Sequence, residues 1–307
     1  MGLFDIFKKK PPQIPPAQEE KSEQPAALPE EKAAATEENV RDEGKDMDIA
    51  KKVLEQLQRD TLKPVLRFSL TDAPASLFAS KVGGLPYLPS DTEIPTDKNG
   101  DPLQFLAQAD CRELSELPDF PHSGLLQFWI GRDDGYGLFN EGGSRVIWYE
   151  TIDDTVTEEA VRARLDDLPE ADSPVDGEYG MAFTLQKEAV PSAVFNFSQL
   201  FTPIFNRLYP ESPIESPDDL GDDINEMIWN YTENSGHKFG GYPMFTQWDP
   251  RDENDARTVL LFQLDSDYSG KETKVIWGDS GVCGFFCTPE ELKERNFSNV
   301  LYNWDCC

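Results

Sequence analysis

Histidine, cysteine and positive charge are scarce in this chain. Two histidines, five cysteines and 28 Lys plus Arg stand in 307 residues, and each scarcity excludes something. The 28 basic residues face 58 Asp plus Glu, giving a formal net charge of −30. Nucleic-acid binding needs cations clustered against phosphate, so that role is excluded. A histidine-based catalytic centre has only His122 and His237 to draw on. An odd number of cysteines makes a poor disulfide framework and fits a reducing compartment. No run approaches the roughly 20 apolar residues of a membrane-spanning helix. The start, Met1 to Phe7, has one short apolar patch with Lys8, Lys9 and Lys10 after it. A secretory signal has its charges first. The expectation is a cytoplasmic protein. Ile6 stands where a myristoylation signal has Ser or Thr, and Cys306-Cys307 does not form a prenylation box.

Against these shortages stand 19 Phe and 6 Trp, enough for a real core. Residues 1–45 differ from the rest: six prolines, Glu-rich stretches and almost no aromatic or β-branched residue after Phe7. That composition reads as a disordered tail. It holds seven basic and ten acidic residues, which leaves 21 basic, 48 acidic and a net −27 on 46–307. Its first ten residues carry a short basic amphipathic patch, able to dock weakly on a membrane surface or a protein groove.

The body opens with a helical stripe near 47–60, formed by Ile49, Val53, Leu54 and Leu57. Strand-like runs follow at 64–70, 103–109, 125–130 and 145–150, then a helix around 157–167 and an alternating run at 181–185. Helices are expected at 195–208 and 222–231, strands at 259–264, 273–277 and 282–287, and a helix start at Thr288-Pro289-Glu290-Glu291. Without a regular βαβ alternation, the fold class expected is α+β: a mostly antiparallel sheet core with flanking helices.

The most informative pattern is internal similarity. Lys81-Val-Gly83-Gly84-Leu-Pro86 returns as Lys238-Phe-Gly240-Gly241-Tyr-Pro243. Gln108-Ala-Asp110 returns as Gln263-Leu-Asp265, and Val146-Ile147-Trp148 as Val275-Ile276-Trp277. The first two matches are 157 and 155 residues apart and the third 129, so the first copy is expected to hold extra material, the 125–130 segment. The expectation is a duplicated core with halves at about 62–190 and 191–307. Gly-Gly-x-Pro demands a sharp turn, and Gln-x-Asp puts both polar groups on one strand face.

At these residues the chain resembles the YwqG-like proteins, a bacterial family of unknown function. The resemblance is carried by Ser80 to Pro86, Phe105 to Gln108, Gly124 to Phe128, Gly240 to Gln247, Trp277 to Gly281 and Asn303 to Cys306. It implies a soluble, intracellular α+β protein with a duplicated core over roughly 47–307. It implies no activity, cofactor or catalytic residue.

Several motifs have plainer readings. Gly278-Asp279-Ser280-Gly281 spells a serine-protease nucleophile, but Val282 follows and neither histidine has a matching context, so it reads as a turn. Asp265-Ser-Asp267-Tyr-Ser269-Gly270 begins like a calcium loop, yet position 12 is Ile276 rather than a bidentate Glu. Cys283, Cys287, Cys306 and Cys307 lack the tight-turn spacing of a zinc site. No metal and no cofactor is expected. The leading reading is a non-enzymatic binding protein whose charge attracts a basic protein, of which an immunity- or inhibitor-type role is one concrete form. The alternative is an enzyme using acidic residues, with or without a metal, in a cleft between the halves. Lys81, Gln108, Asp110, Lys238, Gln263 and Asp265 would line that cleft.

Overall fold

The computed structural model describes residues 41–306, except 74, 170 and 269–271. The expected tail and the amphipathic start lie outside the described residues, apart from 41–45, and there the expectation is corrected. Helix α1 spans Glu43–Asp60, so it begins inside the stretch read as tail. The Asp42 side chain accepts from Lys45 N–H as the cap, and Arg41 ties the helix start to Asp46 and to the Ser212 and Pro213 carbonyls. Composition does not register such contacts.

Ten strands follow: β1 Lys63–Thr71, β2 Lys81–Gly83, β3 Gln104–Asp110, β4 Leu125–Ile130, β5 Ser144–Tyr149, β6 Glu178–Glu188, β7 His237–Gly240, β8 Val259–Asp265, β9 Val282–Cys287 and β10 Leu301–Asp305. They form one sheet in the order β10-β9-β8-β7-β1-β6-β2-β3-β4-β5, and every neighbouring pair is antiparallel. The centre is the long β1–β6 pair, running from Lys63 opposite Glu188 to Thr71 opposite Gly180. One wing is β2 to β5 and the other β7 to β10. The sheet curls nearly into a barrel, which brings the wings face to face. The Phe128 ring of β4 lies 4.5 Å from Phe262 of β8 and 5.0 Å from Phe285 of β9. Leu66, Phe68, Leu126, Phe239 and Leu264 join this core, all buried. Strands β4 and β9 are buried along their whole length, as continuous apolar runs require.

The helices are α1, α2 (Glu158–Leu165), α3 (Phe197–Leu208), α4 (Asp222–Trp229) and α5 (Pro289–Glu294), with a 3₁₀ turn at Pro217–Asp219. In α3, Phe197, Phe201 and Phe205 recur every four residues and so share one face. They pack with Ile49, Val53 and Leu57 of α1 and Ile224 and Ile228 of α4 as a second core. Thr288 and Glu291 close the capping box that starts α5.

Three expectations need correction. Residues 273–277 are not a strand; Val275 makes only isolated bridges, to Val175 and Asp267. The pairing stops because Trp277 already enters a turn, its carbonyl accepting from Ser280 and Gly281 N–H. The match of 146–148 to 275–277 therefore fails: Trp148 lies on edge strand β5, and the opposite edge is β10, with Trp304. With that match goes the ground for reading 125–130 as extra material; it is β4, an inner strand of the sheet.

Candidate functional site

Lys81, Gln108, Lys238 and Gln263 are fully or almost fully buried, and the register places Lys81 opposite Gln108 and Lys238 opposite Gln263. The site residues named from sequence thus gather into two polar nodes, one at each wing, and the lysine of each bonds a carboxylate of the central strand β6.

Each node is built around a turn and a carboxylate. Gly83 and Gly84 have φ of +68° and +72°, and Gly240 and Gly241 +70° and +69°. Such backbone suits glycine, and space adds a second reason. A Cβ on Gly84 would strike the Glu178 carboxylate, and one on Gly241 would come within 2.6 Å of Glu188 Oε2. In the first node Glu178 Oε2 accepts from Leu85 N–H at 3.2 Å and from Lys81 Nζ at 3.3 Å. In the second, Glu188 Oε2 accepts from Tyr242 N–H and from Lys238 Nζ, both at 3.1 Å. Burial lowers the Lys81 pKa, against the pull of Glu178. Both carboxylates come from β6, one from each end, and neither stands out in the sequence.

The glutamines tie the approach to each turn. Gln108 Nε2 donates to the Leu77 and Ala79 carbonyls, and its Oε1 accepts from Tyr87 N–H. Gln263 Nε2 donates to the Asn234 and Gly236 carbonyls, and its Oε1 accepts from Met244 N–H. Asp110 and Asp265 end their strands. Partial burial alone would raise the Asp110 pKa, but bonds from Arg112 outweigh it and hold the carboxyl below its usual range. Asp265 Oδ2 accepts from Gly236 N–H at 2.7 Å.

The second node carries more charge than the first. Arg67 Nη2 donates to Glu188 Oε1 at 2.5 Å and its Nη1 to the Ser235 carbonyl. Lys238 Nζ also donates to the Asn234 carbonyl at 2.6 Å, and Asn234 Nδ2 to Glu188 Oε2 at 3.1 Å. Burial brings the Lys238 pKa down to about 8, against the pull of Glu188. Two atoms here are buried without a partner, Arg67 Nε and Asn234 Oδ1. Beside this node opens a cleft of about 390 Å³, lined by segments 191–193, 229–235 and 243–245. Sequence reasoning missed it, because apart from Trp229 at the end of α4 its walls are loop residues without a recurring pattern.

The remaining motifs resolve locally. Residues 278–280 are a turn, with Gly278 at φ +58°. His237 Nδ1 accepts from Asp265 N–H, so its Nε2 carries the proton and donates to Asp267 Oδ2 at 3.2 Å. Both ring nitrogens are engaged. Cys111, Cys283 and Cys287 are buried, and burial raises all three thiol pKa values. Among the described residues no group of three or more His, Cys, Asp or Glu is arranged to hold a metal ion, and no helix is long and apolar enough to cross a membrane.

Comparison with curated proteins finds no match. A family model does match, over residues 80–306, from the serine just before the first Gly-Gly turn to the end of the last strand. That span covers every strand but β1 and, apart from Arg67, Leu77 and Ala79, the residues of both polar nodes, and the chain belongs to this family, described as a domain of unknown function (DUF1963).

Proposed function

We propose that the protein is a non-catalytic, cytoplasmic binding protein for a basic protein partner. The observation that carries this is the net −27 on 46–307, with 48 acidic against 21 basic residues. A field of that sign raises encounter rates with cationic surfaces and repels nucleic acid. Lys81, Gln108, Lys238 and Gln263 serve as internal supports of the two turns, and Asp110 and Asp265 fix the strand ends. Lys238 has the kind of shifted pKa that catalytic lysines carry, yet it is 0 % exposed, so substrate does not reach its ammonium.

The same reading takes the domain as a duplication and as YwqG-like. Matching bond patterns on Gln108 and Gln263 support the duplication. So do register shifts at matching places, between Phe105 and Ala107 in β3 and between Leu260 and Phe262 in β8. The halves are then β1–β5 and β6–β10, with the join before Glu178 rather than near 190. The motifs that resemble YwqG-like proteins, from Ser80 to Cys306, coincide with the ends of the matched family region.

The test is calorimetry of the full chain with arginine- and lysine-rich peptides and a Glu-rich control. A saturable complex of fixed stoichiometry should persist at ~0.15 M salt, where exposed charges are screened beyond about 8 Å. Binding that never saturates, or that vanishes at that salt, would reduce the charge to nonspecific attraction and defeat the proposal.

A further inference from the structure

Two clefts open beside the two Gly-Gly turns, in matching places. One, of about 220 Å³, is lined by Gly83 and Gly84, by Leu103 to Phe105 where β3 starts, and by Arg132 just past β4. The other, of about 320 Å³, is lined by Gly240 and Gly241, by Thr258 to Leu260 where β8 starts, and by Pro289 just past β9. Register makes the stations correspond. Lys81 faces Gln108 as Lys238 faces Gln263, and Asp110 faces Leu125 as Asp265 faces Val282. Gln104 and Val259 each stand four places before their glutamine, and Arg132 and Pro289 each seven places after Leu125 and Val282. The second wing folds with valine and proline at these two stations. The architecture therefore does not require glutamine and arginine in the first.

Arg132 is the only ionisable side chain among the described residues that line the first cleft. Its Nη2 donates to the Pro169 carbonyl, and burial lowers its pKa without an opposing pull from any described acid. A neighbouring hollow shares Arg132 and carries Asp97, Asp101 and Asp133, but none of the three pairs with the guanidinium. Asp97 and Asp133 accept from backbone N–H groups instead. Of the Arg132 nitrogens Nε is sealed in the interior; Nη1 is not, and it has no partner among the described residues. A half-buried cation without a carboxylate beside it is costly, and the partner it lacks is an anion. Gln104 Nε2 donates to the Gly131 and Asp172 carbonyls at 2.8 and 2.9 Å, which fixes the orientation of the amide. Its Oε1 is left to accept, with no donor among the described residues, and it too is not among the sealed atoms. Phe105, Leu165 and Leu168 give the same cleft apolar walls.

We propose that the cleft of the first wing binds an N-acylated α-amino acid with an apolar side chain, held by its carboxylate on Arg132. The proposal goes beyond the charge-based reading and does not rest on it. A planar guanidinium matches a carboxylate in shape as well as sign. The acylated amide supplies the N–H that Gln104 Oε1 lacks, and the apolar side chain meets Phe105 and the two leucines. An inorganic anion would leave both the amide oxygen and the apolar walls unused. The cleft is smaller than the ~300–1,000 Å³ of most ligand cavities, which suits one residue rather than a long ligand. The C-terminal residue of a polypeptide has the same chemistry as a free acylated amino acid.

The test is titration of the full chain with N-acetyl-leucine, N-acetyl-leucinamide, which has no carboxylate, and 4-methylpentanoate, which has no N–H. N-acetyl-leucine should bind saturably at one site per chain, at least tenfold more tightly than the amide and at least threefold more tightly than 4-methylpentanoate. Arg132→Gln should weaken it at least tenfold. Gln104→Val, which copies the matching station of the other wing, should weaken it at least threefold. Lys51→Met removes one positive charge from α1, which does not line the cleft, and should leave binding unchanged. A tetrapeptide ending in leucine separates the two sources: tighter binding than N-acetyl-leucine assigns the site to chain ends, and exclusion assigns it to free acylated amino acids. No binding of N-acetyl-leucine, equal binding of its amide or of 4-methylpentanoate, two equal sites per chain, or full affinity in either cleft variant overturns the proposal. Basic peptides that bind without N-acetyl-leucine binding keep the charge-based reading and defeat this one, and the converse result does the reverse.

Discussion

Gln108 and Gln263, 155 positions apart, make the same three backbone bonds in opposite wings of one sheet. Each gives both amide hydrogens to carbonyls two residues apart and takes one N–H from the chain just past the turn. Neither has any exposed surface. Removing the Gln108 amide strands two carbonyls and one N–H, and removing that of Gln263 strands the Gly236 carbonyl and the Met244 N–H while Asn234 keeps its bond from Lys238, at roughly 1–3 kcal/mol for each group left unpaired.

Gln108→Leu and Gln263→Leu are therefore expected to be among the costliest substitutions, about 3 kcal/mol or more each. Asn234→Leu should cost far less, because leucine holds the corresponding station at Leu77 and the lost bond to Glu188 is partly offset by removal of the orphaned oxygen. Urea unfolding of the three variants checks the order. An Asn234 variant as unstable as the glutamine variants would overturn it.

Gly84→Val and Gly241→Val should each destabilise the protein by at least ~1–3 kcal/mol, since both combine a left-handed backbone with a carboxylate in the path of any Cβ. Gly44→Ala is the contrast. It sits in the first turns of α1, and the new Cβ would meet only ordinary contact at 3.4 Å from Asp42 Oδ1. A gain of up to roughly 1 kcal/mol is expected there.

Much of this was open to sequence reasoning, and the boundary has physical causes. Strands β3, β4, β8 and β9 are long apolar runs between turn residues, so their pattern survives without the fold. Strands β2 and β7 have three and four residues, too few for a period, and appeared only as repeated turns. The last strand was missed for a related reason: Leu301 to Asp305 alternates over only five residues. At the candidate site, Gly-Gly-x-Pro and Gln-x-Asp were visible because they repeat. Glu178, Glu188, Arg67 and Asn234 were not, because they enter the nodes from other parts of the chain, and only pairing register brings them there.

Stability should depend on Lys238 in alkaline solution. Its pKa is about 8 in the folded chain, while an unfolded lysine titrates near ~10.4. Between those values the unfolded chain holds a proton that the native chain has lost, so this lysine makes stability rise with pH, by at most about 1.4 kcal/mol per unit. Buried Cys111 and Cys287 work the other way. Burial pushes both thiols up to about 12, so they stay protonated where unfolded thiols ionise, and their contribution falls as pH rises. The lysine term is isolated by comparing wild type with Lys238→Met, which leaves Glu188 its bond from Arg67. From pH 7.5 to 9.5 the wild type should gain on the variant. Parallel curves would show that the ammonium keeps an ordinary pKa.

Thiol labelling provides an independent check on the core. At pH 8, Cys111, Cys283 and Cys287 should resist a thiol reagent in the native protein and react only after denaturation, because they are 0 %, 1 % and 0 % exposed and poorly ionised. Counting labelled sites by mass before and after unfolding decides the matter. Rapid native labelling of any of the three would mean that the sheet opens there.

The central strand pair also sets a timetable for synthesis. Residues of β1 meet partners in β6 that are 109 to 125 positions later, and partners in β7 that are 169 to 175 positions later. An emerging chain can assemble β3, β4 and β5 through the local connections 111–124 and 131–143, but β1 must wait, with Val65, Leu66 and Phe68 uncovered, until more than a third of the molecule has been added behind it. At ~5–20 residues per second that is a delay of several seconds or more with an open, apolar edge. The step most exposed to misassembly is therefore closure of this central seam, and a nascent-chain chaperone would find its target in the first strand made.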